Sequence, residues 1–243
     1  MQLSIKALTI VVPCFNEEDA LPTTIEKVGD LLDDLTQRGL CSDLSKVCFV
    51  DDGSRDATWE IIQQAADSNT RVSGIKLSRN RGHQLALLAG LLRVPGDVII
   101  SMDADLQDDL GAVEKMLEKS VCGKDIVYGV RSERTNDTLF KRFTAEQYYK
   151  LLALMGADVV YNHADYRLMS RRAISALREY EESNLFLRGI IPSMGFPSAT
   201  VTYSRGERVA GESKYPLKKM LALALDGITS FTAIPLRLIA ALG

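Results

Sequence analysis

Val98-Ile99-Ile100-Ser101-Met102-Asp103-Ala104-Asp105-Leu106-Gln107-Asp108 is the stretch on which the fold turns. Its first five residues form a short run, apolar but for one serine, that is too brief for a helix and suits a strand buried on both faces. The character then changes within one residue. Side chains two apart on an extended chain point to the same side, so Asp103 and Asp105 place two carboxylates together at the end of a buried strand. A D-x-D triplet alone is weak evidence, because solvated acidic turns also produce it. Its position after the strand is what gives it weight.

Working outward, similar runs rich in β-branched residues recur at Leu8 to Val12, Val47 to Val50, Val72 to Leu77 and Ile126 to Val130. Segments of helical period separate them, at Ala20 to Arg38, Ala57 to Ala66, Gln84 to Leu92 and Leu110 to Val121, with Asp56 as an N-cap for the second. This alternation predicts an α/β fold with a mostly parallel central sheet. Ligands of such sheets bind beyond the carboxyl ends of the strands. Three of those ends are polar here: Pro13-Cys14-Phe15-Asn16-Glu17-Glu18, Asp51-Asp52-Gly53-Ser54-Arg55-Asp56 and the Asp103 loop. Gly53, Ser54 and Asp56 suit an ordinary turn and cap, whereas two adjacent carboxylates suit a nucleobase or ribose on one side and loop support on the other.

Composition fits a globular chain, with 46% hydrophobic and 25% charged residues in 243. A net charge of -3 conceals an asymmetry: residues 1–130 carry 13 Lys/Arg against 21 Asp/Glu, and residues 131–243 carry 16 against 11. The front half therefore suits a cation and the back half an anion. Cys14, Cys41, Cys48 and Cys122 are scattered without a C-x-x-C pair, which argues for reduced thiols in the cytoplasm over disulfides or zinc. Residues 1–16 lack a signal-peptide pattern. Neither G-x-x-x-x-G-K-[ST] nor G-x-G-x-x-G occurs, so phosphate must be handled by metal and side chains. Oxygen ligands of this kind suit Mg²⁺ or Mn²⁺.

Val11-Val12-Pro13-Cys14-Phe15-Asn16-Glu17-Glu18, Val50-Asp51-Asp52-Gly53-Ser54 and Met102-Asp103-Ala104-Asp105-Leu106-Gln107-Asp108, in that order, resemble the family 2 glycosyltransferases of GT-A fold. Leu77-Ser78-Arg79-Asn80-Arg81-Gly82-His83-Gln84, Asp165-Tyr166-Arg167-Leu168-Met169 and Gly211-Glu212-Ser213-Lys214-Tyr215 are similar to the polyprenyl-phosphate branch, with its dolichyl-phosphate mannose synthases and bactoprenol glucosyltransferases. The resemblance implies that Pro13, Phe15, Glu17 and Asp52 hold the nucleoside with Asp51 beside them. It implies that Asp103, Asp105 and Gln107 hold metal and diphosphate, and that Arg131, Arg208 and Lys141 or Arg142 grip the acceptor's lipid phosphate. Asp165 and Asp105 would be the catalytic carboxylates, Asp165 orienting or assisting rather than acting as a strong base, since a phosphate is already ionised. His83 suits a hydrogen-bonding loop role, and His163 has no assignment.

The implied activity is inverting transfer of a sugar from a UDP- or GDP-linked donor to an undecaprenyl- or dolichyl-type phosphate at the cytoplasmic membrane face. Nucleic acid is not an expected partner, and a homo-oligomer stays open. Alternatives are a non-lipid sugar acceptor on the same fold and a non-catalytic nucleotide-binding relative. A processive synthase is disfavoured, since its Q-x-x-R-W segment is missing and the one tryptophan is Trp59. Residues 1–210 are expected to form the catalytic domain. Within 211–243 the stripe Leu217, Met220, Leu221, Ala224, Leu225, Ile228 and Phe231, flanked by Lys214, Lys218 and Lys219, predicts an amphipathic helix in the membrane interface. Asp226, Pro235 and Arg237 interrupt the ~18 apolar residues a membrane span needs. The chain is expected to stop short of transmembrane helices that follow.

Overall fold

Alternation along each strand sorts the apolar side chains into two layers. In strand β1 (Leu8–Cys14), Leu8, Ile10, Val12 and Cys14 join one core, while Val11 joins the other. Strand β2 (Lys46–Asp51) splits in the same way, with Val47 and Phe49 opposite Cys48 and Val50. Helices must therefore cover both faces of the sheet. The computed structural model describes residues 6–132, 163–180 and 187–204, and shows that arrangement.

Helices α1 (Leu21–Gln37), α2 (Thr58–Ser68) and α4 (Ala112–Val121) bury their apolar stripes against the first core. Helices α3 (His83–Arg93), α5 (Arg171–Leu177) and α6 (Leu187–Ser193) cover the second. With β3 (Val72–Lys76), β4 (Val98–Ser101), β5 (Ile126–Arg131), β6 (His163–Ser170) and β7 (Ser198–Tyr203), the sheet runs β3-β2-β1-β4-β6-β5-β7. Gly90 lets α3 lie close on the sheet, since a Cβ there would stand 2.4 Å from Val11 Cγ1 and 2.9 Å from Val50 Cγ2.

The expected mostly parallel α/β sheet is present, with β6 antiparallel to both β4 and β5. That reversal matters for the site. Ser101 pairs with Arg167 in the β4–β6 register, so continuing the ladder two residues brings Asp103 opposite Asp165. The four helices and five strands expected from the sequence lie where expected to within a few residues, while β6, β7, α5 and α6 were not foreseen.

One local expectation needs correction. The N-cap position of α2 falls on Ala57, without a side-chain cap, and Asp56 acts one residue earlier. Its Oδ1 accepts from the Thr58 amide at 3.1 Å and hydroxyl at 2.6 Å, and its Oδ2 accepts from the Glu18 amide at 3.2 Å. Cys14, Cys41 and Cys48 are buried free thiols, and Cys122 is an exposed one. No helix among the described residues is long and apolar enough to cross a membrane. Residues 211–243, with their expected interfacial helix, lie outside the described residues.

Candidate functional site

The ends of β1 and β2 are stitched together by their own loops. The Asn16 amide donates to Ser54 Oγ at 2.9 Å, the Asn16 side-chain oxygen accepts from the Arg55 amide at 2.9 Å, and the Glu17 amide donates to Thr58 Oγ1 at 2.9 Å. This fixes Pro13, buried in β1, and the half-buried Phe15 and Glu17 beside Asp51 and Asp52. Asp52 uses both oxygens on the segment before α3, accepting from the amides of Arg81 at 2.7 Å and Gly82 at 2.9 Å. Asp51 is fully buried; its Oδ1 accepts from the Ser54 amide at 3.0 Å, and its Oδ2 has no hydrogen-bond partner among the described residues. Gly53 is required directly after them, because φ is +70° and a Cβ would meet the Arg79 carbonyl carbon at 2.6 Å.

Two non-glycine residues among those described have positive φ, Asn16 and Leu106, both at 52°. For a leucine this left-handed conformation costs on the order of 1–2 kcal/mol. Each sits in a loop at the carboxyl end of a strand, one beside the nucleoside candidates and one inside the Asp103 loop.

After β4, Asp103 is half-buried and Asp105 Oδ1 accepts from the Gln107 amide at 3.2 Å. Enclosure by the surrounding protein, then Asp165 and Asp105, push the Asp103 carboxyl above its ordinary pKa, although His83 and Arg131 pull it down. A divalent cation relieves that kind of crowding. Among the described residues no three carboxylate, imidazole or thiolate groups converge into a ready-made metal cage. Magnesium and manganese do not require one, since one or two carboxylates and substrate phosphates suffice. Asp103, Asp105 and the buried Gln107 fit that pattern.

Asp165 enters from β6 and meets Asp103 across His83. His83 Nε2 lies 3.5 Å from Asp165 Oδ2 and 3.7 Å from Asp103 Oδ1, from the first residue of α3 rather than from a loop. Arg188 on α6 grips Asp165 with Nη2 at 3.0 Å and Nε at 3.3 Å, and the buried Arg167 donates to Asp165 Oδ1 through Nη2. Burial alone would raise the Asp165 pKa. Arg188, the His83 hydrogen bond and Arg167 outweigh it and hold the carboxyl well below its ordinary value. Asp165 is thus a fixed negative charge and a poor proton acceptor. Burial works against protonated His83, but Asp165 and Asp103 raise its pKa overall.

Arg131, at the end of β5, is aligned with Tyr203 by the parallel β5–β7 register. Its Nε donates to the Tyr203 hydroxyl at 3.3 Å, and its Nη2 stands 3.8 Å from Asp108 Oδ1. Asp108 is 3% exposed, and burial followed by the Asp103 charge lifts its pKa to about 6, against the Tyr203 hydrogen bond and Arg131. Lys141, Arg142 and Arg208 lie outside the described residues, as does the His163 side chain.

The structure therefore gathers Pro13, Phe15, Glu17, Asp51, Asp52, Asp103, Asp105, Gln107, Asp165 and Arg131 along one rim of the sheet. Sequence reasoning missed Arg188, Tyr203, the bridging position of His83 and the separate part played by Asp108. For Arg188 and Tyr203 no local signal existed; the other two stood inside segments already singled out.

A family model described as Glycosyl transferase family 2 matches residues 9–178. YkoT of Bacillus subtilis (strain 168), named an uncharacterized glycosyltransferase, is 50% identical over 245 residues, covering 100% of this chain and 73% of that protein. The bactoprenol glucosyl transferase of Shigella phage SfX is 40% identical over 231 residues, covering 95% of this chain and 74% of that protein. Among solved structures, glucosyl-3-phosphoglycerate synthase from Mycobacterium tuberculosis, in complex with Mn²⁺, UDP and phosphoglyceric acid, aligns with a TM-score of 0.62 and 18% identity, over 90% of this chain and 75% of that one. At that identity the likeness speaks for the fold.

Proposed function

This chain belongs to glycosyl transferase family 2 and has a GT-A fold, and from that premise we propose that it moves a sugar from a UDP- or GDP-linked donor to a polyprenyl phosphate. One observation carries the choice of acceptor: Asp165, opposite Asp103, is held ionised by Arg188, His83 and Arg167. An alcohol acceptor needs a base to take its proton as it attacks. A phosphate monoester arrives already ionised and needs none. The bactoprenol glucosyl transferase relatives support the same reading.

In this mechanism Pro13, Phe15, Glu17, Asp51 and Asp52 bind the nucleoside at the ends of β1 and β2. Asp103, Asp105 and Gln107 hold a divalent cation, which when bound offsets charge on the leaving diphosphate. Arg131, with Arg142 and Arg208, binds the acceptor phosphate through planar donors that match its oxygens. One phosphate oxygen forms a bond to the anomeric carbon from the face opposite the diphosphate, the bond to the diphosphate oxygen breaks, and a nucleoside diphosphate leaves with inversion. Asp165 stabilises positive charge developing at that carbon without accepting a proton. On this reading the reaction takes place at the cytoplasmic face of a membrane, where a polyprenyl phosphate is held.

The test is transfer of radiolabelled sugar from nucleotide sugars to short polyprenyl phosphates and to the matching alcohols, with Mn²⁺, Mg²⁺ or chelator. Metal-dependent product with the phosphate alone is expected. Product with the alcohol, or none with any donor, would sink the proposal.

A further inference from the structure

Asp108 closes the metal-loop sequence but is built unlike its neighbours. Asp52 engages both of its oxygens with backbone amides. Asp108 is equally buried at 3% exposure, yet its Oδ1 receives the Tyr203 hydroxyl and its Oδ2 has no hydrogen-bond partner among the described residues. Leaving a buried carboxylate oxygen unpaired is costly, so its persistence calls for a reason. The cation facing this carboxylate is Arg131, whose Nη2 stands 3.8 Å from Oδ1.

Tyr203 is fixed on every side. Its ring meets the Tyr166 ring edge to face, with centroids 5.3 Å apart, and the Tyr166 hydroxyl donates to the Asp109 carbonyl at 2.9 Å. Its backbone carbonyl accepts from the Ser132 amide at 2.8 Å and the Ser132 hydroxyl at 3.0 Å. The Tyr203 hydroxyl therefore stands at a set point between Asp108 and Arg131 Nε, and all three groups come from separate segments.

We infer that Asp108 and Tyr203 are positioning residues for the acceptor phosphate, aiming the Arg131 guanidinium and tying it to the loop that carries Asp103 and Asp105. The inference rests on the reading of Arg131 as a phosphate ligand. Asp108 supplies the negative charge that keeps Arg131 in place before the phosphate arrives. Tyr203 sets the angle by accepting from Nε while donating to Asp108. The guanidinium that receives one phosphate and the loop that serves the other are thereby held at one spacing.

The test is steady-state kinetics with a short polyprenyl phosphate and a nucleotide sugar, on Tyr203→Phe, Asp108→Asn and Arg131→Gln, alone and combined. Tyr203→Phe is expected to raise the acceptor KM about tenfold, the size of one misaimed charge-assisted contact, with donor KM and Tm unchanged. Asp108→Asn keeps an acceptor for the Tyr203 hydroxyl, removes only the charge, and should raise the same KM about threefold. Neither change should add to Arg131→Gln, because both act through that side chain. An unchanged acceptor KM in Tyr203→Phe, beside a raised one in Arg131→Gln, overturns the positioning role alone. An effect of Tyr203→Phe that persists in full on the Arg131→Gln background does the same. An unchanged acceptor KM in Arg131→Gln removes the phosphate-ligand reading and the inference with it.

Discussion

The two halves of the rim hold their charged groups by different means. On the β1, β2 and β4 side, carboxylates are held by nearby backbone amides: Asp51 by Ser54, Asp52 by Arg81 and Gly82, Asp105 by Gln107. On the β5, β6 and β7 side, side chains hold side chains: Asp165 by Arg167, Arg188 and His83, and Arg131 by Tyr203 and Asp108. Backbone amides fix a carboxylate's position, within one loop for Asp51 and Asp105 and between the β2 end and the segment before α3 for Asp52. Ion pairs between elements fix a charge state as well as a position, and they fail together when one partner is removed.

Four measurements set this contrast at risk. The largest effect is expected from Asp103→Asn, which should lower kcat about 10³-fold through lost cation support while leaving Tm unchanged or raised, since enclosure, Asp165 and Asp105 already disfavour the charge there. A large fall in Tm would show that Asp103 is a structural group. Next, Asp165→Asn strands Arg167 and Arg188 and should cost about 3–5 kcal/mol in urea unfolding. Asp52→Asn should cost less, about 1–3 kcal/mol, because an amide still satisfies one of the two backbone donors. If the order of these two is reversed, the contrast between the halves fails.

The smallest effect concerns pH. Asp108 has its folded pKa raised to about 6, above the ordinary carboxylate value, so the folded state binds more protons between about pH 4 and 6. Its charge therefore costs stability above pH 6, and in chelator the protein should gain about 1 kcal/mol between pH 7 and pH 5. Asp108→Asn should abolish that gain. Asp165 has the opposite sign: its depressed pKa contributes stability that is present above about pH 4 and lost as pH falls through the lower folded value. Calorimetric scans across that range separate the two.

The same contrast explains what was legible in the sequence. Asp51, Asp52, Asp103 and Asp105 follow apolar strand runs, so burial pattern and site share one local signal. The β5–β7 side spreads its site over residues far apart in the chain. Tyr203 reaches Asp108 across 95 residues, and Arg188 reaches Asp165 from another element, so no periodicity or spacing announces either pair. Strand β6 escaped for a related reason. Its inward face carries Asp165 and Arg167, charges that break the apolar pattern, and a charge pair inside a sheet becomes sensible only once both members are placed. Asp56 shows the converse, a cap expected in the right turn and found one residue early, where the Thr58 amide and hydroxyl both donate to its Oδ1.

The antiparallel strand β6 has a further consequence. In a wholly parallel sheet every crossover begins at one edge and ends at the other. Here the chain departs at Ser132 from the carboxyl end of β5, re-enters at His163 beside Val130, and departs again at Ser204 from the matching end of β7. All three passages open on the edge that carries Asp103, Asp165 and Arg131. A change made to the chain at Ser132, His163 or Ser204 is therefore made beside the chemistry, whereas one at the opposite ends of β5, β6 or β7 is made a strand's length away.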